Sequence, residues 1–174
     1  ENCMLEECNL AGGNFTGATL LLTKFNDECI FNGANFTDCI FDQTDFLESN
    51  LSGSNMSDIR IDQCSLEECN LTGAQLSNAM IRNSSFKNAN MRGVSFDHAL
   101  VDGADFSGTD LSTCNLAGAV MKKLTGTPPT LPQDYVIKSY TNETVDAKGD
   151  TTTTQVYDIV VSENRYNDGL REKD

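Results

Sequence analysis

The amino-acid sequence predicts an all-β solenoid built from four-sided coils, followed by an irregular C-terminal tail. Two observations carry this prediction. A bulky apolar residue recurs at every fifth position from Leu5 to Met121 with one interruption, and a small side chain stands two residues before nearly every one of these centres. A period of five fits neither the 3.6-residue turn of an α-helix nor an unbroken strand. The chain must therefore turn after each short extended piece, and four such pieces close one coil.

The apolar centres fall into two registers that are separated by one extra residue. Five centres run from Leu5 to Phe25 and nineteen from Phe31 to Met121, so that 24 repeats make about six coils. Coils stacked at the strand spacing of roughly 4.8 Å bury rings of side chains that no coil could bury alone. Residues 1–121 are therefore expected to form the β-helix, with a one-residue bulge near residues 27–28, and residues 122–174 to form a C-terminal capping segment. The bulge is interpreted either as a tolerated insertion or as an elaborated binding surface.

Individual repeats resemble a known signature. The stretches Ala34–Asp38, Cys69–Gly73 and Ala104–Gly108 read A-N-F-T-D, C-N-L-T-G and A-D-F-S-G, and they are similar to the A(D/N)LXX motif of pentapeptide-repeat proteins. The resemblance covers residues 1–121. It implies that the solenoid is a right-handed quadrilateral β-helix, and the Pro-rich segment after the last coil resembles the cyanobacterial and thylakoid-lumen members of the family.

Four repeats per coil place every fourth repeat on the same face. The first face carries an acidic stripe, which is one candidate interaction surface. This acidic stripe consists of Glu6, Glu7, Asp27, Glu28, Glu48, Glu67 and Glu68. On the second and third faces asparagines precede many of the centres, and stacked amides of this kind predict hydrogen-bonded ladders.

On the fourth face, apolar residues stand where solvent-facing side chains are expected. This apolar stripe consists of Leu21, Leu22, Ile40, Met80, Leu100 and Val120. Contiguous exposed apolar surface usually marks a contact. The stripe therefore predicts either self-association or packing of the tail against this face.

The tail departs from the five-residue period after Lys123. Asp134–Tyr140 and Gln155–Val161 are rich in β-branched and aromatic residues, which predicts two strands joined by a mobile loop. An uncovered last coil would expose open strand edges. We expect the end of the solenoid to be capped by four residues of the first strand region, and the second strand to cover part of the fourth face, including Met80 and Leu100. The four capping residues are Leu131, Tyr135, Val136 and Ile137. Residues 163–174 are expected to fray.

The seven cysteines all occupy the small inward position of their repeats. They are Cys3, Cys8, Cys29, Cys39, Cys64, Cys69 and Cys114. Buried packing is the first interpretation; a zinc site is the alternative, although the only histidine, His98, falls at an outward turn. No metal or cofactor is expected. Cys8 and Cys29 lie four repeats apart and stack at roughly 4.8 Å, within the Cα separation of a disulfide. They are the candidate disulfide if the compartment is oxidising.

The net charge of the chain makes some classes of binding partner unfavourable. The formal net charge is -14, which opposes direct nucleic-acid binding and favours basic partners. The sequence has no run of 18 apolar residues, so no membrane span is expected. The chain begins at Glu1 rather than Met, which is consistent with removal of a targeting segment or with trimming. Together with the resemblance, this favours the thylakoid lumen or the periplasm over the cytoplasm.

A convex rod with a filled interior offers no cleft for catalytic groups, so the sequence predicts a protein that is not an enzyme. The expected role is a protein–protein interaction scaffold with an unknown protein partner, and a structural spacer is a related possibility. The family resemblance implies an alternative, a DNA mimic that binds or inhibits a type II topoisomerase such as DNA gyrase. Residues 1–121 hold 17 acidic and 5 basic residues, a balance that suits a positively charged DNA channel.

Overall fold

A computed structural model describes residues 3–26 and 28–162, and these residues form strands and turns without a helix. Accordingly, the described part of the chain has no helix long and apolar enough to cross a membrane. Ten strands follow one another along the chain. They are β1 (Met4–Glu6), β2 (Thr19–Leu21), β3 (Lys24–Asn26), β4 (Ile40–Asp42), β5 (Arg60–Asp62), β6 (Met80–Arg82), β7 (Leu100–Asp102), β8 (Val120–Leu124), β9 (Tyr135–Val145) and β10 (Thr151–Val161).

The predicted β-helix of about six four-sided turns is confirmed by the pairing of its strands. Between β4 and β8 the paired residues are 20 apart, as in the parallel pairing of Met80 with Leu100. On the other faces, single bridges connect the later coils with the same step, from Ile30 paired with Asn50 to Asp110 paired with Thr130. Each coil therefore contains four repeats.

The extra residue is absorbed in the second coil. Met4 pairs with Lys24, a step of 20 residues, whereas Asn9 bridges to Ile30, a step of 21. The additional residue thus lies between Lys24 and Ile30. Of the two positions predicted for the bulge, Glu28 is described and exposed, and Asp27 lies outside the described residues.

The core is a column of stacked centres. Phe31, Phe36, Phe41 and Phe46 are fully buried in one coil, and rings also stack between coils, with 4.8 Å between the centroids of Phe25 and Phe46. A buried side chain of this size stabilises the fold by about 1.5–3 kcal/mol relative to an exposed one. Mostly small residues such as Cys69 and Ala74 fill the second inward position, although the larger Ile59 and Val94 are also fully buried there.

The asparagines form turn caps in place of the predicted ladders. The side-chain oxygen of Asn35 accepts a hydrogen bond from the backbone N–H of Thr37 at 3.1 Å, and that of Asn50 accepts from Ser52 at 3.1 Å. An asparagine side chain reaches the backbone two residues on more easily than the next coil. The ladder prediction is wrong for these residues because the local turn satisfies the amide oxygen first.

The tail forms a long antiparallel hairpin that joins the sheet of the fourth face. β9 pairs with β10 along their whole length, and the turn between them spans only residues 146–150. β10 in turn pairs antiparallel with β8, where Ile159 lies opposite Met121. The resulting eight-stranded sheet has the order β2-β4-β5-β6-β7-β8-β10-β9. The loop predicted over residues 141–154 is therefore largely strand.

Two predictions about the tail are corrected by this arrangement. The end of the solenoid is capped mainly by the second strand, since Val156, Tyr157 and Ile159 are buried. Leu131, Tyr135 and Ile137 pack partly against the core, but Val136 is 44% exposed and does not cap it. The second strand also does not cover the fourth face, because it pairs with β8 and so extends the sheet instead of lying over it. The residues predicted to fray, 163–174, lie outside the described residues.

Candidate interaction surface

The alternation of side chains along each short strand determines which residues lie on the outer face of the eight-stranded sheet. The middle residue of β4 to β7 points into the core, as Ile81 and Val101 do, and is buried. The first and third residues therefore point outward. Because the strands stack in register, these outward residues form two parallel columns.

The first column becomes aliphatic toward the C-terminal end, and we call its last five residues the aliphatic ridge. They are, in the order of the strands, Met80, Leu100, Val120, Val160 and Val136. Leu100 is 52% exposed and Val120 is 41% exposed. At roughly 4.8 Å per strand, the ridge is about 19 Å long.

The ridge contains part of the predicted apolar stripe and extends it. The structure places Met80, Leu100 and Val120 on the same sheet face, with Ile40 exposed farther along the column. The basic side chain of Arg60 separates Ile40 from the ridge. Leu21 is the last residue of β2 and Leu22 follows it, at the other end of the sheet. Val136 and Val160 could not be assigned to this surface from the sequence, because only the pairing of the hairpin with β8 places them in the same column as Val120.

The second outward column carries charges, and we call it the charged column. It consists of Asp42, Asp62, Arg82, Asp102, Lys122, Asp158 and Lys138. Asp158 lies opposite an irregularity in β8, where its Oδ1 accepts hydrogen bonds from Lys123 N and from the Tyr140 hydroxyl, both at 2.9 Å. From Asp62 to Lys138 the sign of the charge alternates. Reading the residue two positions after each outward apolar residue would have found most of this column in the sequence.

The positive charges of the column lack ion pairs in the part of the chain that the structure describes. Among the described residues, Arg82, Lys122 and Lys138 make no ion pair within 4.0 Å. One carboxylate oxygen of Asp62 is buried and has no hydrogen-bond partner. A buried polar atom without a partner costs roughly 1–3 kcal/mol. Among the described residues, three cations and the Asp62 carboxylate of this face thus lack a partner of opposite charge.

Shallow grooves run between the two columns. One has a volume of about 210 Å³, with Met80, Leu100 and Val120 on its apolar side and Arg82, Asp102 and Lys122 on its charged side. A second groove, of about 220 Å³, continues past Val120 to Tyr135 and Val161 on the hairpin. An apolar strip with a charged border is the composition expected of a protein-binding surface.

The acidic stripe lies on another face of the rod. Its described members, Glu6, Glu7, Glu28, Glu48, Glu67 and Glu68, are exposed or half-buried. The backbone N–H of Glu48 donates to the carbonyl of Glu67 in the next coil at 3.0 Å, so the turns that carry Glu48 and Glu67–Glu68 stack on each other. Lys87 ends the stripe and forms an ion pair with Asp105 at 3.5 Å. In the described part of the chain, no group of three or more His, Cys, Asp or Glu residues could hold a metal ion.

Cys8 and Cys29 are brought into contact by the stacking of the first two coils. The Sγ atoms lie 2.7 Å apart, and the Cys8 backbone N–H donates to the Cys29 sulfur at 3.4 Å. Burial, together with the neighbouring Cys29, raises the pKa of the Cys8 thiol to about 12. The pair thus meets the proximity requirement for a disulfide, in which the sulfurs are about 2.05 Å apart.

The other cysteines are packing residues with one exception. The Cys69 thiol donates to the carbonyl of Phe46 in the preceding coil at 2.9 Å, and burial raises its pKa to about 12. Cys39 makes the equivalent bond to Phe15. Cys3 is exposed, contrary to the expectation that all seven point into the core, because the described chain places no coil above it.

Comparisons with known proteins agree with the repeat pattern. A family model described as a pentapeptide repeat region matches residues 1–76 and 59–125. A search of curated proteins finds no match, whereas 29 chains of solved structures match.

Three of the matched structures show the range of similarity. QnrB1, described as a plasmid-mediated fluoroquinolone resistance protein, is 15% identical, with 72% of this chain and 73% of that chain covered and a TM-score of 0.45. A pentapeptide repeat protein from the Arabidopsis thaliana thylakoid lumen is 29% identical, with coverage of 52% and 66% and a TM-score of 0.30. The cyanobacterial protein Rfr23 from Cyanothece 51142 is 21% identical, with coverage of 75% and 91% and a TM-score of 0.39.

Proposed function

Since the chain belongs to the pentapeptide-repeat family, we propose that it is a non-catalytic scaffold that binds a protein partner through the outer face of its eight-stranded sheet. The aliphatic ridge is the observation that carries this proposal. Leu100, Val120 and Val136 are each more than 40% exposed and lie in one line on a flat sheet. Apolar side chains arranged in this way gain stability when another surface excludes water from them.

The interior of the solenoid supports a role that depends on surfaces. The space between the four faces is filled by buried centres such as Phe41, Leu66 and Phe96, so substrate-sized cavities are not available there. Catalysis requires convergent acid, base or nucleophilic groups in a cleft. The grooves on the described surface are shallow and bordered by separate charges, an arrangement better suited to contact than to chemistry.

Site-specific photocrosslinking tests the scaffold. A photoreactive amino acid would replace Leu100 in the full-length chain, and a matched control would replace Asn32, which is exposed at a turn on another face. In extracts of the source cells we expect a protein adduct at position 100 that is absent at position 32. The adduct should decrease when Val120→Asp is added, because the charge disrupts the apolar ridge. No adduct at position 100, or equal adducts at both positions, would refute the proposal.

The acidic stripe supports a second candidate function, the binding of a type II topoisomerase by imitation of DNA. The stacked turns that carry Glu48, Glu67 and Glu68 place negative charge along the rod, as a phosphate backbone does. The test is a DNA gyrase supercoiling assay with the protein and with a variant that carries Glu48→Lys, Glu67→Lys and Glu68→Lys. Inhibition that the variant loses would favour the DNA mimic, whereas the absence of inhibition by the unmodified protein would exclude gyrase as its target.

A further inference from the structure

We propose that the partner bound at this face is a second copy of the chain, packed face to face about a two-fold axis that runs parallel to the strands between β7 and β8. The inference rests on the proposed function, because it uses the same surface. A rotation about such an axis keeps each residue at its position along the strand and reverses the order of the strands. The ridge therefore faces the ridge of the second copy, and the charged column faces the charged column.

Under this rotation, each charge from Asp62 to Lys138 lies opposite a charge of the other sign in the second copy. Asp102 comes to lie opposite Lys122 of the second copy, and Arg82 opposite Asp158. At the outer end, Asp62 lies opposite Lys138. Because every opposition occurs twice in a two-fold dimer, the three pairs give six contacts between opposite charges. In the first column, Leu100 meets Val120 of the second copy and Met80 meets Val160, whereas Val136 lies opposite Arg60 at the outer end.

Neighbouring registers are less favourable. With the axis on β7 itself, Arg82 would face Lys122 and Asp102 would face its own equivalent, so that like charges repel. With the axis between β6 and β7, Asp42 would face Asp158. A two-fold axis along the rod would exchange the columns and lay the charged column over the aliphatic ridge. An axis between β8 and β10 would also oppose unlike charges, Lys122 to Asp158 and Asp102 to Lys138, but in four contacts instead of six. The axis between β7 and β8 therefore gives the largest number of contacts between opposite charges.

The dimer would compensate the groups that the single chain leaves without partners. Arg82, Lys122 and Lys138 lack ion pairs among the described residues, and Asp62 has an unpartnered buried oxygen that makes its negative charge costly. A cation opposite its exposed side would offset that cost.

The size of the face predicts a weak dimer. Six strands at roughly 4.8 Å and three residues at roughly 3.3 Å give a flat footprint of roughly 300 Å² per copy. A standard interface buries roughly 800 Å² per partner. We therefore expect a dissociation constant in the micromolar range or weaker.

Sedimentation velocity from about 1 to 300 µM, a range chosen for a micromolar dimer, tests the association with the full chain. The decisive variants are Asp102→Lys and Lys122→Asp, each of which places like charges opposite one another at two symmetric contacts. Each variant alone should weaken the dimer by on the order of tenfold. An equimolar mixture of the two should restore it, because every opposed pair in the mixed dimer again carries one charge of each sign.

The matched control is Glu48→Lys, a charge reversal of the same size on the acidic stripe, which should leave the dimer unchanged. A wild-type protein that stays monomeric throughout the concentration range would overturn the inference, as would a mixture that associates no better than either variant. The photocrosslinking experiment distinguishes failure of the dimer proposal from failure of the scaffold proposal. Adducts to other proteins at position 100 with a monomeric chain would overturn only the dimer, whereas neither adduct nor dimer would overturn both.

Discussion

Oxidation of the Cys8–Cys29 pair should clamp the first coil of the solenoid onto the second. The two sulfurs are already in contact, at 2.7 Å, so bridge formation requires little movement of the backbone. Oxidised glutathione is a suitable oxidant. The two thiols lose two hydrogens and form the disulfide, while one molecule of oxidised glutathione is reduced to two molecules of glutathione.

The size of the effect follows from the loop that the bridge closes. The cysteines are 21 residues apart, and a loop of this length predicts a stabilisation of about 3 kcal/mol through the lost entropy of the unfolded chain. For a chain of this size, 1 kcal/mol corresponds to about 2–4 °C, so the melting temperature should rise by about 6–12 °C. Reduction should reverse the rise.

The assay compares thermal unfolding of oxidised and reduced samples, with peptide mass spectrometry to identify the bridge. Cys8→Ser should show no gain on oxidation, whereas Cys3→Ser, which replaces an exposed cysteine of the same coil, should gain as much as the wild type. A missing Cys8–Cys29 peptide after oxidation, or an equal gain in Cys8→Ser, would refute the reasoning. A bridge found in protein isolated from its source would favour an oxidising compartment, in line with the predicted thylakoid lumen or periplasm.

Three further predictions concern the solenoid itself. Phe41→Ala should lower the free energy of unfolding by about 3–5 kcal/mol in urea titrations, because its fully buried ring contacts Phe36 and Phe46 and leaves a cavity. Gly53→Ala should cost about 1–2 kcal/mol in the same titration because Gly53 has a left-handed φ of 63°, although its added Cβ meets no atom. The pKa of the Cys69 thiol is raised from 9.0 to about 12, so its contribution to stability is present below pH 9.0 and lost as the pH rises toward 12. Cys69→Ala should therefore reduce the alkaline loss of unfolding free energy.

The sequence was sufficient for the architecture because the repeat is local and regular. Each centre, such as Phe36 or Leu71, occupies the same position in a five-residue unit, and hydrophobic burial requires every unit to point the same side inward. The stacking of Cys8 on Cys29 also followed from the repeat, because the two cysteines occupy the same position in units that lie four repeats apart. The asparagine ladders did not, because hydrogen bonds to the backbone of a residue's own turn compete with bonds between coils.

The tail required the tertiary structure. Alternating β-branched residues predicted strands near residues 135–140 and 155–161, but the neighbour of each strand depends on long-range hydrogen bonding that no local pattern encodes. The pairing of β10 with β8 determined that the fourth face would be extended and left open. It also brought Val160 and Val136 into line with Leu100, and set Asp158 and Lys138 at the end of the charged column.

The amino-acid sequence by itself thus determined the coil, its inward residues and the apolar character of the fourth face, since these depend only on a short period repeated many times. The tertiary structure alone decided how the last coil is capped and that Asp158 and Lys138 extend the charged column beside the ridge. Residues far apart in the chain, such as Lys122 and Asp158, become neighbours only when the hairpin completes the hydrogen bonds of the last coil's open edge.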